Sequence, residues 1–156
     1  MELIDFGLKI GAALLAGLLI GIERELQNKD AGLKTNALVS LGAAVFVLVS
    51  LHFEGSPNVD LTRVIGQVVT GIGFIGAGVI LHKGTTVRGL TTAATVWCSA
   101  GAGCLAGIGE YSELFLLVVL IVITNVLFGI FEDYLSRKMN NGKNKDELGD
   151  EDRVDD

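Results

Sequence analysis

Acidic residues are missing from a long central part of this chain: no Asp or Glu stands between Leu61 and Gly109. Proline occurs once, cysteine twice and histidine twice. Each shortage excludes something. TGIGFIGAGVILHKGTT contains a G-x-G-x-x-G at Gly71, Gly73 and Gly76. A dinucleotide fingerprint needs a preceding strand and an acid roughly 20 residues later for the ribose, and that acid is missing. No Gly-Lys-Ser/Thr offers a Walker loop instead. Cys98 and Cys104 lie six residues apart on one expected helix, about 240° around it, so they cannot face one another as a metal pair. They read as small buried hydrophobes. His52 and His82 fit no zinc spacing. With neither a nucleophile and base pair nor a complete metal motif, the motifs speak against an enzyme and imply no cofactor.

What the chain does have is apolar length. Half of its 156 residues are hydrophobic and 21 are glycine. Charge-free runs cover Thr35 to Phe53, Val64 to Leu81, Gly89 to Gly109 and Leu114 to Phe131, each near the ~20 residues that cross a bilayer as a helix. Leu3 to Ile22 is a fifth candidate despite Asp5 and Lys9. Spaced i,i+4 near one end, those two can pair while the lysine reaches the interface. Its acidic start and the lack of a small-residue cleavage pattern argue against a cleavable signal peptide. The expected fold is an all-α membrane protein with five transmembrane helices at about 3–22, 35–53, 63–82, 89–108 and 113–132. Residues 1–138 would form the membrane domain.

The charges suggest an orientation. With the N-terminus outside and the C-terminus cytoplasmic, the inner segments hold ten of the twelve basic residues, leaving Lys9 and Arg63 outside. The positive-inside rule favours this arrangement and an odd number of spans. Of the net charge of -6, all comes from Asp146 to Asp156, with seven acids and one arginine. The segment 139–156 therefore reads as an acidic, disordered cytoplasmic tail. Topology accounts for the basic residues, so no nucleic-acid partner is expected.

Without water to drive helices together, close contact in lipid depends on small residues. Gly17 and Gly21 are four apart on the first helix, and Thr91, Thr95, Ser99, Gly103 and Gly107 form an i,i+4 ladder on the fourth. On the third, Gly73, Gly76 and Gly78 are expected to permit helix contact or a local break. These patterns predict glycine-rich third and fourth helices at the centre of a bundle, with the bulky fifth facing lipid. The same faces could serve self-association into a homo-oligomer.

The polar signal lies in GIERELQNKDAGLKTNALVSLGAA and HKGTTVRGLTTAA. The first brings Glu23, Arg24, Glu25, Lys34, Thr35 and Asn36 to the inner boundary, and the second brings Arg88, Thr91 and Thr92 to the same side. Packed helices would let the two meet in a cluster partly withdrawn from water, with Gln67 pointing from the third span. Charges at membrane depth are costly unless paired. Arg24 and Arg88 could hold a phosphate or carboxylate, or pair with Glu23 and Glu25. Two acids can attract magnesium but are few for a dedicated cage.

GLLIGIERELQNKDAGLKTNALVSLGAAVF followed by QVVTGIGFIGAGVILHKGTTVRGLTTAATVWCSAGAG resembles the MgtC/SapB family of bacterial inner-membrane proteins, over roughly Leu8 to Ile130. The resemblance implies five spans and a role in coping with magnesium limitation and, in pathogens, in virulence through survival within macrophages. It also implies action on other membrane machines, notably the F-type ATP synthase, rather than direct magnesium transport. The family's motifs fall on Glu23, Arg24, Glu25, Lys34, Thr35 and Asn36, and on Gly73, Gly76, Gly78, Arg88, Gly89, Thr91 and Thr92. Lys34 stands where the family pattern has arginine, which removes a planar bidentate donor. The expected form is the short, SapB-like one without the C-terminal ACT-type domain of longer members. Two functional classes follow: a non-enzymatic regulator working through contact with another membrane complex, or a transporter or channel for magnesium or protons. Against transport, no acid lies in the middle of any span.

Overall fold

The computed structural model describes residues 2–55, 60–83 and 86–151, with side chains described through residue 131 except at 82 and 83. Five helices follow one another: α1 (Leu3–Leu26), α2 (Leu33–His52), α3 (Leu61–Val79), α4 (Leu90–Ile108) and α5 (Tyr111–Glu151). Among the described residues four helices are long and apolar enough to cross a membrane: α1, α2, α3 and the Tyr111–Phe131 part of α5. The fifth, α4, carries Thr, Ser, Ala and Gly where its neighbours carry Leu and Val.

Local chemistry sets the boundaries. Asp60 caps α3, its Oδ1 accepting from the Thr62 backbone N–H at 2.9 Å and the Thr62 hydroxyl at 2.6 Å, which satisfies a donor that the helix start leaves unpaired. The helix is continuous through Gly71, Gly73 and Gly76, with no break. Neither a strand nor a loop presents this glycine pattern, so the nucleotide reading fails on structure as well. After α3 comes a feature the sequence did not suggest: a short antiparallel hairpin of β1 (Leu81–Lys83) and β2 (Thr86–Arg88), with Leu81 opposite Arg88. Gly89 then opens α4 at φ +87, where a Cβ would lie 2.3 Å from the Val79 carbonyl oxygen. Only glycine meets both conditions. Gly109 closes α4 in the same left-handed region, its N–H bonding to the Leu105 carbonyl at 2.9 Å, as expected for a glycine helix stop.

The chain divides into two compact units, Met1–Val122 and Ile123–Asp156. In the first, α1, α2 and α4 pack against one another. Their contacts are at backbone distance. A Cβ on Gly103 would stand 2.0 Å from the Ser40 carbonyl oxygen, and one on Gly17 2.5 Å from that of Asn36. A Cβ on Gly21 would stand 2.6 Å from the Leu33 Cα, and one on Gly107 3.0 Å from the Ala44 carbonyl oxygen and the Val47 side chain. The ladder on α4 therefore does what small residues do in lipid, removing side chains so that backbones approach.

The expectation that the third helix is central is overturned: α3 packs mainly on α4, with only a lesser contact to α2. Ile72 and Gly76 are its buried residues. Gly76 meets the Ala93 Cβ at ordinary contact distance, whereas Gly73 and Gly78 have open space where a side chain would be. Composition marked α3 as able to pack closely, but its helical phase turns most of the small residues outward. The expectation for the fifth helix also changes. Leu114, Val118 and Ile121 form a buried i,i+4,i+7 stripe against Ala13, Ala16, Ile20, Ala102 and Ala106, while Phe115, Leu116 and Leu120 remain exposed. The second unit, within the described residues, is the continuation of α5 to Glu151. The acidic segment 139–156 falls partly on that helix; its side chains and residues 152–156 lie outside the described residues.

Candidate functional site

One end of the α1–α2–α4 core is polar. The Arg24 Nη2 donates to the Thr92 Oγ1 at 2.7 Å, joining the last turn of α1 to the first turn of α4. Arg24 is 2% exposed and Glu23 6%. The charges of Glu23 and Asp30 act on the guanidinium. Its Nε has no hydrogen-bond partner among the described residues. A buried charge held by so few direct bonds is costly, which ties this end of the fold to Arg24 being kept in place.

Asn36 is the second anchor, fully buried in the first turn of α2. Its Nδ2 donates to the carbonyls of Ala31 and, at 3.0 Å, Gly32, and its Oδ1 accepts from the Ser99 hydroxyl at 2.7 Å. Ala31 has φ +55, a left-handed conformation that costs a non-glycine residue roughly 1–2 kcal/mol, and the Asn36 amide holds the carbonyl of that residue. The Ser40 hydroxyl, four residues along the same face of α2, donates to the Ala13 carbonyl at 2.7 Å. Thr92, Thr95 and Ser99 share one face of α4 by their i,i+3,i+7 spacing. Thr95 returns its hydroxyl to the Thr91 carbonyl at 2.9 Å.

Several residues singled out in the sequence stand outside this network. Glu25 is exposed, and its Oε2 accepts from the Leu33 N–H at 3.3 Å. It acts as a remote cap on α2, and Gly32 leaves room for it, since a Cβ there would stand 1.9 Å from that oxygen. Lys34, Arg88 and Thr91 are exposed and Thr35 is half-buried. Gln67 lines a different feature, an apolar groove of about 530 Å³ between α2 and α3 with Leu38, Phe46, Val64 and Ile72. The cluster thus consists of Glu23, Arg24, Asn36 and Thr92 from the expected set, joined by Ser99, which the sequence pattern places only in the packing ladder. Ser40 and Thr95 were missed as polar members. The i+4 step from Asn36 to Ser40 was the available signal.

Chemically, the network fixes three helices in register through single, buried hydrogen bonds. Among the described residues no group of three or more His, Cys, Asp or Glu side chains could hold a metal ion.

Comparison with known proteins matches residues 10–134 to the model of the MgtC family. "Protein MgtC" of Salmonella typhimurium (strain LT2) is 48% identical over 128 residues, covering 81% of this chain and 54% of that protein. "Protein MgtC" of Brucella abortus (strain 2308) is 50% identical over 117 residues, covering 75% and 48%. "Uncharacterized protein slr0014" of Synechocystis sp. is 45% identical over 128 residues, covering 81% and 53%. The chain spans about half the length of the curated relatives it matches. No solved structure matches it. The match runs through α1 to the membrane part of α5 and includes every residue of the buried polar network, and on it the chain belongs to the MgtC family.

Proposed function

We propose that this protein is a non-enzymatic regulator of the bacterial inner membrane, linked to magnesium limitation and stress adaptation, that acts by helix contact on another membrane complex such as the F-type ATP synthase. It spans the membrane five times with its N-terminus outside. Ten of twelve basic residues then lie on the cytoplasmic side, and the less apolar α4 crosses sheltered by α1, α2 and α3.

One observation carries this reading. Where α1, α2 and α4 meet, Gly17, Gly21, Gly103 and Gly107 are filled by a neighbouring helix or the loop before it, and Gly7, Gly11, Gly42 and Gly101 stay open; on α3 four glycines, Gly66, Gly71, Gly73 and Gly78, face open space. Small residues are what allow one membrane helix to approach another, so α3, with more open glycines than any of the other helices, has the most unused capacity for a partner. The closely packed core gives no comparable support to a pore.

The test compares wild type with Gly73→Leu. A Cβ at this position meets no atom within 4 Å, so the purified protein should keep its melting temperature, while cross-linking from α3 to the membrane partner in cells and the stress phenotype are lost. In sealed proteoliposomes neither protein carries magnesium or protons. Flux that changes on Glu23→Gln would overturn the regulator in favour of a cation transporter.

A further inference from the structure

The end of the core opposite the polar network holds a second cavity of about 500 Å³, lined by Asp5, Lys9, Leu51, His52, Glu54 and Ile108. We propose that it binds the headgroup of a zwitterionic phospholipid bearing a primary ammonium.

The cavity presents both signs of charge within one space. Lys9 is its fixed cation. Its ammonium pairs with Asp5 at 3.3 Å and its side chain is only 16% exposed. Its stem runs beside the end of α4, where a Cβ on Gly109 would stand 3.4 Å from the Lys9 Cε. Asp5 and Glu54 are acceptors in the same lining, and His52 adds an imidazole. The last turns of α2 and α4 both end here, and helix C-termini carry partial negative charge. A phosphate is matched by Lys9 and His52, and an ammonium by Glu54, Asp5 and the helix ends.

The surroundings indicate a lipid rather than a small solute. Leu51 and Ile108 form an apolar part of the lining, and on α1 beside Asp5 and Lys9 the residues Leu3, Ile4 and Leu8 are exposed. On a helix long and apolar enough to cross a membrane, those side chains face acyl chains. The cavity therefore sits where headgroups begin, with charged and apolar residues together in its lining. Carboxylates accept hydrogen bonds, so they select an ammonium that carries N–H groups. A quaternary ammonium has none and is recognised by aromatic faces instead. Magnesium is not the better occupant, because Asp5, His52 and Glu54 line the cavity without forming a group that could hold a metal ion.

The experiment reconstitutes the full chain in vesicles of equal parts phosphatidylethanolamine and phosphatidylcholine, extracts it in mild detergent, and quantifies retained lipid by mass spectrometry. Wild type retains the ethanolamine lipid in preference by about tenfold, as one charge-assisted hydrogen bond would give. Glu54→Gln, isosteric and outside the helices, brings the ratio to that of the vesicle. Asp5→Asn provides the second variant should the first prove misfolded. Equal retention of both lipids by wild type, or a preference unchanged in both variants, would overturn the site. Displacement by soluble phosphoethanolamine with no preference among vesicle lipids would overturn the lipid assignment in favour of a free solute.

Discussion

Helices α3 and α4 carry similar small-residue patterns and have opposite fates. On α4, Gly103 and Gly107 are pressed against the backbone or side chains of α2, and Ser99 is bonded to Asn36. On α3, Gly73 and Gly78 meet nothing within 4 Å. Small residues in a membrane helix are thus a permission to approach, and whether the permission is used depends on what lies across the face. In α4 the phase of the small residues coincides with hydroxyls that complete hydrogen bonds. In α3 the row carries no buried polar partner, since Thr70 bonds its own turn at the Gly66 carbonyl.

Substitutions at matched positions should separate the two helices. The largest effect is expected from Gly103→Ala, where even a methyl overlaps the Ser40 carbonyl; the loss should be about 3 kcal/mol or more, seen as a collapse of the melting temperature in micelles. If Gly103→Ala is tolerated, the backbone contact between α2 and α4 is not as described. Next comes Thr92→Val, which removes the acceptor of a buried guanidinium and should cost about 1.5–3 kcal/mol. Thr92→Ser should recover most of it, a readout that a simple volume effect would not give.

Ser99→Ala should cost about 1 kcal/mol by leaving the Asn36 Oδ1 without its donor. Double-mutant analysis with Asn36→Ala would then show non-additivity. Gly73→Ala sharpens the contrast from the other side. With open space and a helical backbone, it should leave stability unchanged or raise it by up to ~1 kcal/mol, so a marked loss would mean that the α3 face is occupied in the purified protein.

The smallest effect concerns the exposed start of α3. The Thr62 hydroxyl, then its backbone N–H, holds the Asp60 carboxyl below its usual value. A depressed folded value means that the contribution is present above the unfolded carboxylate value of ~3.9 and is lost as pH falls through the folded value. Melting of wild type and Asp60→Asn should converge on acidification and separate slightly near neutrality.

Much of this was legible in the chain. Charge-free runs located α2, α3, α4 and the start of α5 to within a few residues, and α1 was legible as an apolar stretch despite Asp5 and Lys9, because hydrocarbon tolerates few charges and its thickness sets the length. Asp5 and Lys9 were readable as an i,i+4 pair, and the ladder on α4 as a close-packing face. Arg24, Asn36 and Thr92 were also identifiable, since polar groups at helix ends beside apolar runs need partners. The hairpin at Leu81 to Arg88 was not legible: it is too short to show alternation. Arg88 and Thr91 could not be separated from Thr92 by composition. One residue of rotation, about 100° on a helix, puts Thr91 at the surface and Thr92 against Arg24.

By itself, then, the sequence determined that five helices follow one another, roughly where they begin, the family, and which faces were able to pack closely, because these depend on local composition and on the physics of lipid. Only the tertiary structure decided which permissive face is used. It joined α1, α2 and α4 through Arg24 to Thr92 and Asn36 to Ser99, and it left the glycines of α3 other than Gly76 open. Contacts between residues 63 and 68 positions apart depend on how whole helices are phased against one another, and no window of local sequence contains that phase.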